Sequence, residues 1–165
     1  MKCIVANAEH LDTILKMLKE SAQFLNSKNV DQWSYWLNPP EEKVIWLKEG
    51  LVNNEFYFIH NTEGTHMGMF RLLYEDQLYW GKQKEQAGYV HSLVVKNEFK
   101  GQNLGKKIMT QIEQDLVSRK INLLRLDCVA NNEELCSYYT RLGFKKVGQV
   151  KMPLSLNNLY EKQLK

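Results

Sequence analysis

Apolar side chains recur along this chain of 165 residues with two different periods. Steps of three and four residues are typical of an amphipathic helix, and two segments show them. Their apolar positions are Leu11, Ile14, Leu15, Leu18 and Ala22 in the first segment, and Leu104, Ile108, Ile112 and Leu116 in the second. We therefore predict one helix that starts near residue 11 and another over 104–119.

Start and stop residues mark two further helices. Pro39 and Pro40 precede a segment that has two acidic residues in its first turn and ends at Gly50, which predicts a helix over 41–50. A fourth helix is predicted over 133–142, because an asparagine pair precedes it and Gly143 follows it.

Short runs rich in β-branched and aromatic residues predict the strands. These runs are 3–6, 55–60, 66–74, 89–95, 122–129, 144–150 and 159–164. The turn 61–65 contains Asn and Gly and suits a hairpin, whereas the polar segment 75–88 is predicted as a loop or as the end of a long hairpin. The elements together predict a single domain over 1–165 of the mixed α/β class, with six to seven strands in a mixed sheet and about four helices on both faces.

Charge and composition exclude several classes of protein. The 22 basic and 19 acidic side chains leave a net charge of only +3, so neither a nucleic-acid partner nor an anionic membrane is expected. No apolar run approaches the length of a membrane span, and the first ten residues lack the apolar core of a secretory signal. We therefore expect a soluble cytoplasmic protein.

The three cysteines, Cys3, Cys128 and Cys136, form no CxxC pair and have no histidine cluster beside them. An odd number in this arrangement argues against a disulfide framework and against a structural metal site. We expect three reduced thiols that pack as small apolar groups, and no covalent acyl-enzyme through them.

The segment 89–109 carries the strongest chemical signal. A strand leads through a turn with Gly101 and Gly105 into a helix, an arrangement that aims backbone amides at an anion such as a diphosphate. Six basic and three acidic side chains over 96–120 give this region a net charge of +3. An ordinary tight turn with solvated lysines has the same residues, and neither the P-loop nor the dinucleotide fingerprint is present.

A second segment, 124–148, favours the anion site over the ordinary tight turn. Lys100-Gly101-Gln102-Asn103-Leu104-Gly105 is similar to the Q/R-x-x-G-x-G/A motif of the GNAT superfamily of acyltransferases, and Asn132, Tyr139 and Gly143-Phe144 resemble the second motif of that family. Lys100 stands where the family usually has Arg or Gln, and Asn103 stands where it usually has glycine. Because Asn tolerates left-handed backbone angles, the loop is expected to keep its shape.

The resemblance implies a mostly antiparallel sheet and transfer of an acetyl group from acetyl-CoA to a primary amine in one ternary complex. The implied cofactor-binding residues are Leu93, Val94, Val95, Lys100, Gly101, Gln102, Asn103, Leu104, Gly105, Lys106 and Asn132. Tyr139 matches the general acid of the family, and His91 lies where some relatives have a base. His91 can equally be a packed strand histidine, and strand alternation turns Ser92 to the opposite side.

The amine acceptor is not defined by any motif. Trp33, Tyr35 and Trp36 can stack on an aromatic or cationic amine, although core packing explains the same residues. Glu75 and Asp76 can attract an amine or simply be solvated. A C-terminal strand and an exposed sheet edge favour a homodimer. The alternatives to an enzyme are a non-catalytic CoA-binding sensor on the same fold and a small basic nucleic-acid binder.

Overall fold

The computed structural model describes all residues, Met1–Lys165, as five α-helices and seven β-strands. The helices are α1 (Leu11–Ser27), α2 (Glu41–Val52), α3 (Gln77–Trp80), α4 (Leu104–Ser118) and α5 (Glu133–Arg141). The strands are β1 (Lys2–Val5), β2 (Phe56–His60), β3 (His66–Leu73), β4 (Gly88–Val95), β5 (Leu123–Val129), β6 (Lys145–Met152) and β7 (Ser155–Gln163). Single 3₁₀ turns precede α1, α2 and α4.

All seven strands belong to one sheet, in the order β1-β2-β3-β4-β5-β7-β6. The β4–β5 pair is parallel, whereas β1–β2, β2–β3, β5–β7 and β6–β7 are antiparallel. The predicted mixed, mostly antiparallel sheet is therefore confirmed. The edge strands are β1 and β6, and the C-terminal strand β7 pairs on both sides, with β5 and with β6.

The predicted order of elements is correct except in the segment 75–88, which was expected to be a loop. There, α3 forms a single helical turn, and the Asp76 side chain accepts a hydrogen bond from the Tyr79 amide at its N-terminus. Four residues are too few to show a helical period, so the side-chain cap is the physical reason for this turn.

The chain divides into two compact units, 1–72 with 92–104 and 73–91 with 105–165. The prediction of one functional domain over 1–165 stays a prediction. None of the five helices combines the length and apolar composition that crossing a bilayer requires.

The first unit contains α1, α2 and strands β1 to β3. Its core is built from the apolar stripe of α1, including Ile14 and Leu18, which pack with Phe56 and Met69 of the sheet; all four are almost completely buried. The stripe predicted from three- and four-residue steps thus faces the sheet, as amphipathic periodicity requires.

The second unit contains α3, α4, α5 and strands β5 to β7. Ile108 and Leu116 of α4 are completely buried, and a Cβ atom on Gly88 would stand only 2.7 Å from Leu116 Cδ1. Glycine is therefore required at the start of β4, because α4 packs directly on the backbone there.

Candidate active site

Strand β4 is irregular at its centre. Its parallel ladder with β5 covers Gly88–Val90, and Ser92 then adopts a left-handed conformation with φ of 50°. A left-handed residue inside a strand interrupts the pleat and re-aims the neighbouring side chains. Simple strand alternation is thus interrupted at Ser92, and the expectation that Ser92 lies opposite His91 stays a prediction.

Beyond the irregularity, β4 continues against β3. The Val94 carbonyl lies so close to Gly68 that a Cβ on that glycine would collide with it, and the Lys96 amide donates to the Met67 carbonyl over 2.9 Å. Because successive peptide groups alternate along a strand, those of Leu93 and Val95 point to the opposite edge of β4. Two of the three strand residues predicted to bind the cofactor thus direct main-chain donors and acceptors away from β3.

The loop between β4 and α4 has the backbone shape that the sequence predicts. Gly101 has φ of 78° and Asn103 has φ of 56°, so Asn103 occupies the left-handed region that its side chain tolerates. Both residues and the intervening Gln102 are exposed.

The first turn of α4 has the electrostatics of an anion site. It contains no acidic side chain, and Lys106 and Lys107 are exposed within it. The helix dipole makes cations unfavourable at a helix N-terminus, so this charge arrangement is stabilised when an anion binds the unpaired amides. The residues at this turn therefore fit a diphosphate group.

The Lys100 side chain is directed elsewhere. Its Nζ atom lies 3.2 Å from the centre of the Phe24 ring on α1, and burial lowers the pKa of this lysine. A cation over an aromatic face is a favourable contact, so Lys100 anchors the loop to α1.

Helix α5 begins at Asn132 and places two tyrosines side by side. The Asn132 side chain caps the helix by accepting a hydrogen bond from the Leu135 amide over 3.1 Å. The predicted contact of Asn132 with a cofactor stays a prediction, and the structure shows that its side-chain oxygen has a helix-capping role.

Tyr139 is buried in the second unit. Its side chain is 7% exposed, and its ring packs edge-on against Phe144. Burial is the main cause that raises the pKa of Tyr139 far above its usual range, and the neighbouring Cys128 adds to the effect. The phenol keeps its proton throughout the neutral range, and the raised pKa makes it a weaker acid than an exposed tyrosine.

Tyr138 faces the first turn of α4. A Cβ atom on Gly105 would stand 2.8 Å from the Tyr138 hydroxyl, so the absence of a side chain at that position lets the tyrosine approach the helix backbone. Tyr138 is half-buried, and burial raises its pKa. Sequence reasoning ranked Tyr138 below Tyr139 and missed this approach to the predicted diphosphate turn.

His91 lies between two carboxylates. Its Nε2 atom is 2.8 Å from Asp76 Oδ2 and its Nδ1 atom is 3.4 Å from Asp127 Oδ1, and all three side chains are at most 8% exposed. Asp127 also accepts a hydrogen bond from Asn157, and the Tyr79 ring packs against the imidazole. Because a neutral imidazole has one N–H and the imidazolium has two, only the protonated ring can donate to both carboxylates.

These contacts correct one sequence expectation and add one residue. Asp76 was expected to be either solvated or an attraction for an amine, but it is buried against His91. Asp127 was not singled out, because no motif spacing connects a carboxylate on β5 with a histidine on β4.

The aromatic residues proposed for the acceptor pocket fall into two groups. Trp36 is 3% exposed and belongs to the core of the first unit, so packing explains this residue. Trp33 and Tyr35 are only partly buried against the same core, and Lys43 lies 5.0 Å from the centre of the Tyr35 ring.

Comparisons with known proteins agree with this fold. The model of the Acetyltransferase (GNAT) family matches residues 19–144, so the chain belongs to the GNAT acetyltransferase family. It is 27% identical over 161 residues to the uncharacterized N-acetyltransferase YesJ of Bacillus subtilis (strain 168), which covers 94% of this chain and 86% of YesJ.

Two solved structures share the fold. The first is a GNAT-family acetyltransferase from Listeria monocytogenes 4b F2365, with a TM-score of 0.78, 24% identity and coverage of 99% of this chain and 94% of that one. The second is the PaiA N-acetyltransferase from Thermoplasma acidophilum in complex with coenzyme A, with a TM-score of 0.65, 18% identity and 98% coverage of both chains.

Proposed function

We propose that this protein transfers an acetyl group from acetyl-CoA to the primary amine of a small-molecule or peptide acceptor in one ternary complex. The observation that carries the proposal is the first turn of α4, which combines unpaired amides, Lys106 and Lys107 with no acidic side chain. Family membership supports an acyl-CoA as the anionic ligand.

When bound, acetyl-CoA supplies the activated acetyl thioester. The amides of 102–106 hold its diphosphate, with Gly101 and Asn103 providing the left-handed turns that expose them. The main-chain groups of Leu93 and Val95 extend along its pantetheine arm, as an added strand would. Asn132, at the start of α5, is proposed to hydrogen-bond the same arm. Trp33 and Tyr35 are the aromatic residues proposed to contact the acceptor.

Acyl transfer to an amine requires proton removal from the amine and proton delivery to the leaving sulfur. Tyr139 is the proposed donor, because it stands at the position of the general acid in the second family motif and its phenol carries a proton at neutral pH. His91 is the proposed acceptor in its neutral form, in which only one ring nitrogen carries a proton and the other can take one; its ring nitrogens face Asp76 and Asp127. The carboxylates orient the ring and stabilise the imidazolium that forms when it takes a proton.

Thermal unfolding in the presence of CoA tests the binding half of the proposal. A ligand at 100 times its Kd stabilises by about 2.7 kcal/mol, which raises the Tm of a protein of this size by about 5 °C or more. The double variant Lys106→Gln/Lys107→Gln should bind CoA about tenfold more weakly. Lys145→Gln/Lys146→Gln, an exposed adjacent pair on β6, removes the same charge and should leave CoA affinity unchanged. No Tm shift with CoA or acetyl-CoA contradicts the proposal.

Release of free thiol from acetyl-CoA over a panel of amines tests the catalytic half. Tyr139→Phe keeps the ring contacts and removes the proton, so turnover should fall by about 10²- to 10⁴-fold at unchanged acetyl-CoA affinity. Tyr138→Phe is the matched control on the same helix. If the loss follows Tyr138→Phe instead, the acid is misassigned.

One observation favours a second function, a CoA-binding sensor without turnover. Tyr139 and His91 are both buried, and each ring nitrogen of His91 already faces a carboxylate. A sensor predicts a Tm shift with CoA together with no thiol release for any amine in the panel.

A further inference from the structure

Two of the three cysteines lie side by side in the second unit. Cys128 is on β5 and Cys136 is on α5, and their Sγ atoms are 3.6 Å apart. Two sulfurs joined in a disulfide are about 2.05 Å apart, so bond formation requires an approach of about 1.5 Å. A change of side-chain torsions with a small shift of α5 covers that distance.

The two thiols differ in access. Cys128 is 4% exposed, whereas Cys136 is half-buried and receives a hydrogen bond on its sulfur from the Asn158 side-chain amide over 3.4 Å. Burial and the adjacent Cys136 raise the pKa of the Cys128 thiol. An oxidant from solvent therefore meets Cys136 first, and Cys128 is placed to react with the product.

We propose that Cys128 and Cys136 form a redox-active dithiol that a hydroperoxide converts into an intramolecular disulfide. The Cys136 sulfur attacks the peroxide, the O–O bond breaks, and Cys136 becomes a sulfenic acid while an alcohol or water leaves. The Cys128 sulfur then forms the S–S bond, and its proton leaves with the hydroxyl of the sulfenic acid as water. Two thiols lose one electron each, and the peroxide takes up both.

The bond ties α5 to β5 next to the proposed acid. Tyr139 lies three residues after Cys136 on α5, almost one helical turn away, so the movement that closes the S–S distance also displaces its phenol. A misplacement near 1 Å at a reacting group is enough to reduce turnover by about 10²-fold. This control over turnover rests on the proposed acetyltransferase function, whereas the disulfide itself does not.

The full-length protein is treated with one equivalent of hydrogen peroxide, and its thiols are counted after denaturation. We expect the count to fall from three to one, with a mass loss of about 2 Da and a single linked peptide pair that contains Cys128 and Cys136. The closed loop should raise the apo-protein Tm by about 5 °C, and dithiothreitol should reverse every change.

Variants show which of the two thiols reacts with the peroxide and which then forms the S–S bond. Cys3→Ser, which changes the exposed thiol on β1, should form the same linked peptides. Cys128→Ser should instead accumulate a sulfenic acid on Cys136, trapped by dimedone. Three remaining thiols in the parent protein, or linked peptides that include Cys3, overturn the proposal without reference to any variant.

A turnover assay separates the claim that the disulfide forms from the claim that it controls turnover. Thiol release from acetyl-CoA is measured before oxidation, after oxidation and after reduction. Turnover should fall at least tenfold on oxidation and recover with dithiothreitol. If the oxidised and reduced proteins have equal turnover, the claim that the disulfide lowers turnover by moving α5 is overturned, even when the peptide map shows the bond. A protein with no turnover in either state refutes the acetyltransferase function, while the peptide map still decides the disulfide.

Discussion

Asn103 provides the sharpest test of how the loop before α4 binds an anion. Its φ of 56° lies in the left-handed region, where a residue with an ordinary Cβ costs about 1 to 2 kcal/mol more than in the right-handed region. Asparagine and glycine largely avoid that cost. Asn103→Ala introduces it, and Asn103→Gly does not.

The strain in Asn103→Ala must show in one of two quantities. If the alanine keeps the left-handed angles, the free energy of unfolding falls by about 1 kcal/mol. If it relaxes to other angles, the loop amides turn away and CoA binding must restore them, which weakens CoA affinity by about 5- to 30-fold for 1 to 2 kcal/mol. Asn103→Gly should stay within about 0.5 kcal/mol in stability and bind CoA like the parent.

Urea denaturation and calorimetric titration with CoA measure the two quantities. Asn54→Ala is the matched control, since Asn54 has φ of 57° at the end of α2. It should lose about the same stability and no CoA affinity. If Asn103→Ala changes neither the free energy of unfolding nor the CoA affinity, the left-handed turn is not what positions the amides.

Three further predictions concern the first unit. The Glu55 carboxylate accepts hydrogen bonds over 2.6 and 2.9 Å from the buried Arg71 guanidinium, and Glu55→Gln removes its charge. Urea denaturation should show that the free energy of unfolding falls by about 2 kcal/mol. A fall below about 0.5 kcal/mol contradicts a stabilising role of this ion pair. Gly68→Ala sets a methyl group against a backbone carbonyl of β4 and should lower the free energy of unfolding by about 1 to 3 kcal/mol in the same assay. An unchanged free energy of unfolding would show that β3 and β4 move apart at no cost. Burial and, secondarily, Lys96 lower the pKa of His66 below 6.5 in the folded state, so the unfolded chain takes up a proton first and stability falls as pH drops through that range. Urea midpoints between pH 7.5 and 5.5 should therefore fall less steeply for His66→Gln than for the parent, and equal slopes would exclude His66 as a source of acid sensitivity.

Local patterns predicted the scaffold and the turn before α4 that is proposed to bind an anion. The apolar stripe of α4 and the glycine that ends α5 each act over a few residues, so the chain itself carries their signal. The left-handed angle of Asn103 was expected for the same reason, because it depends on a short motif and on one residue type.

Contacts between residues far apart in the sequence form only in the packed fold, and no local sequence pattern predicts them. His91 meets Asp76 across 15 positions of sequence, and its second carboxylate comes from a different strand. The pairing of Cys128 with Cys136 depends on how α5 packs on β5, which no Cys spacing rule describes. The left-handed Ser92 is equally hidden, because the run of residues around it reads as an ordinary strand.

The proposed binding and catalytic residues differ in exposure, and this difference separates two measurable properties. Residues 101–103 of the proposed anion-binding loop are exposed, so solvent and dissolved anions reach them. Tyr139 is 7% exposed, so the position of its hydroxyl depends on the packing of α5 in the second unit. Cofactor affinity should therefore respond to Asn103 and the lysines of α4, while turnover responds to Tyr139 and to oxidation of the cysteine pair. A variant of α5 that changes affinity and turnover by the same factor would show that the two properties depend on one common step.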